Sequence, residues 1–240
     1  MEQAPHAQPT QESIEAKTTH QHRNDYMVEM SEKIKAQKHL THRFGHCPQG
    51  CRAFNNWPKN TGYCNRMDAL QTLAKLGAER KDSIRLLIIG ESPPSDGRHI
   101  LNVICGSQNN LSKKGYAFGL NVVLKKWGFP KGIYSDDILP IDIAWCPKRN
   151  SHRKIVKGKK KILKICFKEN TIPVLKELQI QNVCCLFALP KIMSNMNRGK
   201  PPVKVNTDNH NLREFINALE QEGIVRRNHF YCVNPYLDTG

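Results

Sequence analysis

An α/β fold is predicted, a three-layer α/β/α sandwich around a central four-stranded, mainly parallel sheet, and three features of the chain predict it. Four short apolar runs, at residues 84–89, 138–146, 183–189 and 229–233, are too short for typical helices and each ends at glycine, proline or a polar residue. Segments with helical spacing alternate with them, the order that builds parallel strands with crossover helices. The runs are apolar almost throughout instead of alternating with polar residues, as strands covered on both faces must be.

In chain order, residues 1–23 are rich in Gln, His, Thr and Pro and have little to bury, so they read as a flexible tail. Residues 24–240 read as a single α/β domain, of which 24–77 form an N-terminal helical and cysteine-bearing extension. Met27, Met30 and Ile34 recur at helical spacing over 26–39. A second helix is expected over 67–76, stopped by Gly77. The first strand then ends at Gly90, and Pro93 and Pro94 stiffen the turn that follows, holding Glu91 at the strand's carboxyl end. Open α/β sheets bind ligands there, although a solvated Glu in an ordinary turn has the same sequence.

Residues 98–114 have no clear period and read as a long loop beside that end. A helix over 115–126, GYAFGLNVVLKK, turns Leu120, Val123 and Leu124 inward and closes at Gly128. The second strand carries one conspicuous acid, Asp142. A helix continues over 171–178, residues 193–211 read as a polar connection, and a helix over 212–222 delivers the chain to the last strand, which ends in Asn234, Pro235 and Tyr236.

Charge narrows the partner. Lys and Arg total 37 against 21 acids, a net +16, which favours an anionic polymer, most simply nucleic acid. Residues 148–168 hold ten Lys or Arg and no acid; a solvated face would interleave both signs, so phosphate contact by Arg149, Arg153, Lys154, Lys159, Lys160 and Lys161 is expected. With no long apolar span and no apolar stretch over residues 1–12, the expectation is a cytoplasmic monomer without membrane contact, whose nine cysteines are not disulfides.

Four segments in order resemble the uracil-DNA glycosylase superfamily, closest to its iron-sulfur, family 4, branch. GESPP at 90–94 is similar to that branch's GEAPG motif; YAFG at 116–119 is similar to PFVG, whose Phe stacks on the extracted base; IDIAWCPKRN at 141–150 is similar to ITNVVKCRPPxNR; and VNPY at 233–236 stands where the family has HPS, or NPS in the mismatch-specific branch. The resemblance implies a DNA glycosylase. It places Gly90, Pro94, Phe118 and Asp142 around the base, with Asp142 on the family's base-reading asparagine, and Asn234 in the second motif. It further implies a 4Fe-4S cluster: two cysteines before the first motif and two after the second strand would be Cys47, Cys51, Cys146 and Cys166. The first pair here is spaced C-x3-C where the family has C-x2-C, and with Cys64, His42 and His46 nearby a tetrahedral zinc is the alternative. Cys184, Cys185 and Cys232 read as buried apolar thiols.

The reaction sets requirements of its own. A base hidden in a duplex must be flipped out and read along its Watson-Crick edge. Breaking its glycosidic bond leaves positive charge on the sugar and negative charge on the base, so donors must face the base and a carboxylate and a water the sugar. Glu91 is the candidate for the water, with Ser92 beside it where other branches carry a catalytic Asp, and Asn234 can donate to the base O2. An asparagine at position 142 would suit uracil, whereas a carboxylate accepts from the exocyclic amine of cytosine. Pro94 is smaller than the Tyr that walls off the C5 side in the branch that excludes thymine. A 5-modified cytosine, hydroxymethylated or glucosylated as in some phage DNA, therefore fits, and with it an antiphage role. The alternatives are a uracil or deaminated-base repair glycosylase and a non-catalytic nucleic-acid-binding module.

Overall fold

The computed structural model describes residues 35, 66–80, 82–91, 115–144, 159–189 and 200–236. Helix α1 (Arg66–Arg80) leads to β1 (Leu86–Gly90), and α2 (Tyr116–Lys126) with a 3-10 turn (Gly132–Tyr134) leads to β2 (Ile138–Asp142). Next, α3 (Lys159–Cys166) passes through a π turn (Phe167–Thr171) into α4 (Ile172–Glu177). β3 (Val183–Ala188), β4 (Val203–Val205), α5 (Arg213–Gln221) and β5 (Val225–Val233) complete the order. The helix expected at 26–39 lies outside the described residues except for Lys35, which is helical. Among the described residues no helix is long and apolar enough to cross a membrane.

The strands form one mixed, mostly parallel sheet in the order β2-β1-β3-β5-β4. β1 pairs in parallel with β2 and with β3, and β3 in parallel with β5. The expectation of four strands is corrected to five, because β4 runs antiparallel to β5 inside the segment read as a polar connection. Its sequence, VKV, is too short to carry a period, and Val203 is 52% exposed, so nothing in its composition marks a strand. It exists because β5, paired with β3 on one side, offers its other edge at Phe230–Cys232.

Alternation along the strands sorts the apolar side chains into two clusters. Leu87, Ile89, Leu139, Ile141, Cys185 and Phe187 pack with Leu73 of α1, Leu163 of α3, Val174 of α4 and Phe215 of α5. Leu86, Ile88, Ile138 and Leu186 pack with Leu120, Val123 and Leu124 of α2 and with Ile133. Inward-facing positions of α2 are therefore those its spacing predicts.

Gly77 does not stop α1, contrary to the expectation from its sequence. The helix continues to Arg80, and Gly77 is buried inside it. A β-carbon there would lie 2.7 Å from Cδ2 of Leu178, so glycine here accommodates the Leu178 side chain at the end of α4 and does not terminate the helix.

Parallel pairing gathers the carboxyl ends of β1, β2, β3 and β5 along one edge of the sheet. From β1 the chain goes first to the neighbour on one side, β2, and then to the neighbour on the other, β3. That reversal beside β1 is where open α/β sheets leave a crevice for ligands.

Candidate functional site

The register pairs Gly90, the last residue of β1, with Asp142, the last residue of β2. Both continue the even positions that carry Leu86, Ile88 and Ile138 into the cluster under α2, so they share the face that α2 covers. A β-carbon on Gly90 would overlap Oδ1 of Asp142, and it would lie 3.4 Å from Cγ of Asp142 and 3.6 Å from the Tyr116 hydroxyl. Glycine at the strand end thus leaves the space that the Asp142 carboxylate occupies. Two hydrogen bonds carry the β1–β2 ladder past this pair: Ile143 N–H donates to the Gly90 carbonyl at 2.9 Å, and Ala144 N–H to the Glu91 carbonyl at 3.1 Å. Asp142 is 6% exposed and Glu91 8%.

Helix α2 enters the site with its first residue. Gly115 precedes it at φ 98°, a backbone conformation open to glycine, and turns the chain into the helix. The Tyr116 hydroxyl donates to the carbonyl oxygen of Ala188, the last residue of β3, at 2.8 Å. One tyrosine therefore bonds the end of β3 beside the ends of β1 and β2. Burial raises its phenol well above the ordinary range, and the charge of Asp142 and the neighbouring Tyr236 raise it further, so the hydroxyl keeps its proton.

β5 supplies the fourth side. Asn234 follows it and is 5% exposed; its Oδ1 accepts the Tyr236 N–H at 3.2 Å, forming an Asx-type turn. The carboxamide oxygen is thereby occupied locally, and the amide nitrogen keeps its hydrogens for another partner. Tyr236 is 43% exposed and meets the Tyr116 ring edge-on, with centroids 6.2 Å apart. The corner so formed holds a carboxylate, a fixed phenol, a carboxamide and an exposed ring, which can grip a flat, polar, hydrogen-bonding ring.

A further anchor comes from the π turn. The Thr171 hydroxyl bonds the carbonyl oxygens of Asp142 at 2.8 Å and of Ile143 at 3.1 Å. Five residues wound as a π turn bring Thr171, fully buried, over the end of β2. The helical segment begins at Lys159, so the lysines that open it and the threonine that anchors the end of β2 lie on one continuous stretch of helix.

Gly90, Glu91, Asp142 and Asn234, proposed from sequence, all fall at the carboxyl ends of the parallel strands. Phe118 is half-buried in the first turn of α2, about 200° around the helix from Tyr116 at about 100° per residue, and the side chain that reaches Ala188 is Tyr116. Sequence reasoning singled out neither Tyr116 nor Tyr236 nor Thr171. The first two lie inside the YAFG and VNPY segments, where an aromatic opening a helix after glycine was the available signal; Thr171 had none. Lys159, Lys160 and Lys161 form the first turn of α3. Ser92, Pro94, Arg149, Arg153, Lys154, Cys47, Cys51 and Cys146 lie outside the described residues.

Of the proposed metal ligands, Cys166 is described: it closes α3 and is 7% exposed in the cluster with Leu163 and Phe167. Among the described residues no group of three or more His, Cys, Asp or Glu lies together to hold a metal. Burial pushes the Cys232 thiol up to about 11 and raises that of Cys185 well above its usual range, as expected of buried neutral thiols. Compared with known proteins, the chain matches no family model, no curated protein and no solved structure.

Proposed function

We infer that the chain is a DNA glycosylase that flips out a base and hydrolyses its N-glycosidic bond, acting on a 5-modified cytosine as an antiphage defence. The observation that carries this is the position of Asp142: a nearly buried carboxylate in the space left by Gly90, whose strand β1 borders the switch point of a mostly parallel sheet, with Glu91 following Gly90 and Asn234 following β5. A carboxylate fixed there accepts from an exocyclic amine and opposes a carbonyl, which favours cytosine over uracil. Asn234 has its oxygen engaged by Tyr236 and retains amide hydrogens to meet charge developing on the base O2. Glu91 is assigned to the sugar cation and the attacking water, with Ser92 beside it. Apolar clusters on both sides of the sheet accord with the three-layer α/β/α arrangement of such an enzyme.

The lysines that open α3, with Arg149, Arg153 and Lys154 before them, would contact DNA phosphates, on a helix tied to the end of β2 by Thr171. Cys47, Cys51, Cys146 and Cys166 would hold a 4Fe-4S cluster, or zinc in its place; four thiolates suit either. When bound, that group would fasten the N-terminal extension to α3. Cytoplasmic location and a monomeric state belong to the same proposal.

The deciding experiment offers DNA containing uracil, cytosine, 5-hydroxymethylcytosine or its glucosylated form and scores abasic-site formation. Release of a modified cytosine is expected. Release of uracil alone would make the chain a repair enzyme, and release of none would make it a binding module.

A further inference from the structure

We propose that Tyr116 is a specificity-determining residue: with Asp142 it forms a pair of acceptors that engages both hydrogens of an exocyclic amine. This deepens the glycosylase proposal and rests on it. The phenol has a single proton, and it is committed to the Ala188 carbonyl at 2.8 Å. Toward Asp142 the phenol therefore presents only lone pairs. The carboxylate overlaps the position of a Gly90 β-carbon, and the phenol oxygen lies 3.6 Å from that same point, so the two oxygens are close neighbours at the ends of β1 and β2. Two acceptors bonded to the two hydrogens of one planar amine stand about 5 Å apart. Oxygens sharing so small a neighbourhood can take that spacing.

The arrangement discriminates chemically. The amine of cytosine or of a 5-substituted cytosine brings two hydrogens to two acceptors. The O4 of uracil or thymine brings none and would set a third acceptor against two others in a nearly buried corner, an unfavourable arrangement. The raised ionisation range of the phenol keeps this assignment constant through neutral pH, because the proton donated to Ala188 stays in place. The ring itself is held by its hydroxyl at one end and by the packing of α2 at the other, so the acceptor direction is fixed before a ligand arrives.

The test uses the full chain and single-turnover release of base from oligonucleotides carrying the cytosine derivative that wild type cleaves fastest, its N4-methyl counterpart, and uracil. N4-methylation removes one of the two amine hydrogens. Wild type is expected to lose about ten-fold or more on the N4-methyl base, the scale of one good hydrogen-bonded pairing. Tyr116→Phe keeps the ring; it should slow the parent base by a similar factor, narrow its lead over uracil, and shrink the N4-methyl penalty, because the second acceptor is already gone. Unchanged ranking and an undiminished N4-methyl penalty in Tyr116→Phe would overturn the role of Tyr116 while leaving the glycosylase proposal intact. Should the variant not fold by thermal melting, equal wild-type rates on the parent and N4-methyl bases overturn it and a loss supports it. If wild type releases no base from any oligonucleotide, the glycosylase proposal fails and this one with it.

Discussion

The hydroxyl of Thr171 lies 2.8 Å from the carbonyl oxygen of Asp142, so the end of β2 is gripped by a side chain from a π turn 29 residues further along the chain. The same hydroxyl is 3.1 Å from the Ile143 carbonyl, and Thr171 is fully buried, which makes the interaction one that water cannot replace. π turns recur at functional sites, and here the irregular winding sets the phase at which Thr171 meets the strand end.

Replacing Thr171 with Val keeps the shape and removes the hydroxyl. The two carbonyls it serves are then less well satisfied, and a loss of about 1 to 3 kcal/mol of stability is expected. Thr171→Ser should recover most of it. Urea denaturation checks both variants, with a shift in midpoint at unchanged slope as the expected signature; equal midpoints for wild type and the Val variant would remove the anchoring role.

Gly90→Ala places a methyl where Oδ1 of Asp142 sits. The carboxylate must move or the strands must separate, and overpacking of this kind costs about 1 to 3 kcal/mol. Activity on cytosine-type bases should fall further than the loss of folded protein accounts for, because Asp142 is displaced even in molecules that fold. Melting temperature and base release measured on one preparation separate the two effects.

Asp142 and Glu91 should fail differently. Asp142→Asn adds a donor at the base edge and should shift preference from cytosine-type bases toward uracil by about ten- to a hundred-fold, the worth of a good bidentate pairing. Glu91→Gln should slow all substrates without changing their ranking, since it acts on the common sugar and water. Single-turnover rates are the measurement, so that slow product release does not mask chemistry. An unchanged ranking in Asp142→Asn would refute the base-reading role.

The lysines that open α3 should contribute binding without sequence preference. Changing Lys159, Lys160 and Lys161 together to Ala should weaken DNA binding and flatten its dependence on salt, by about 0.9 in log–log slope for each duplex phosphate that is no longer neutralised. Titrations over a salt series read this directly, and an unaltered slope would make the run a solvated face.

The four parallel strands and the helices α1, α2 and α5 were legible in the chain because burial on both sides of a sheet leaves an apolar run, and burial on one side of a helix leaves a period. Gly90 and Asn234, which end two of those runs, were visible as punctuation, and Asp142 as the one acid within the run at 138–146. Both are local signals. What tertiary structure alone decided depends on how distant pieces meet. β4 forms because β5, paired with β3 on one side, leaves its other edge open at Phe230–Cys232, not because VKV prefers a strand. Gly77 sits inside α1 because Leu178 packs against it, where sequence rules made it a stop. Tyr116, and not Phe118, reaches the end of β3 beside the ends of β1 and β2 because helix phase is set by the packing of Leu120, Val123 and Leu124, and two residues along a helix point nearly opposite ways. Thr171 reaches β2 only through a π turn, whose extra residue per turn has no signature in composition. Periodicity thus determined what is buried and which segments form the parallel strands, whereas register and helix phase, which are properties of the packed chain, decided which side chains face one another at their ends.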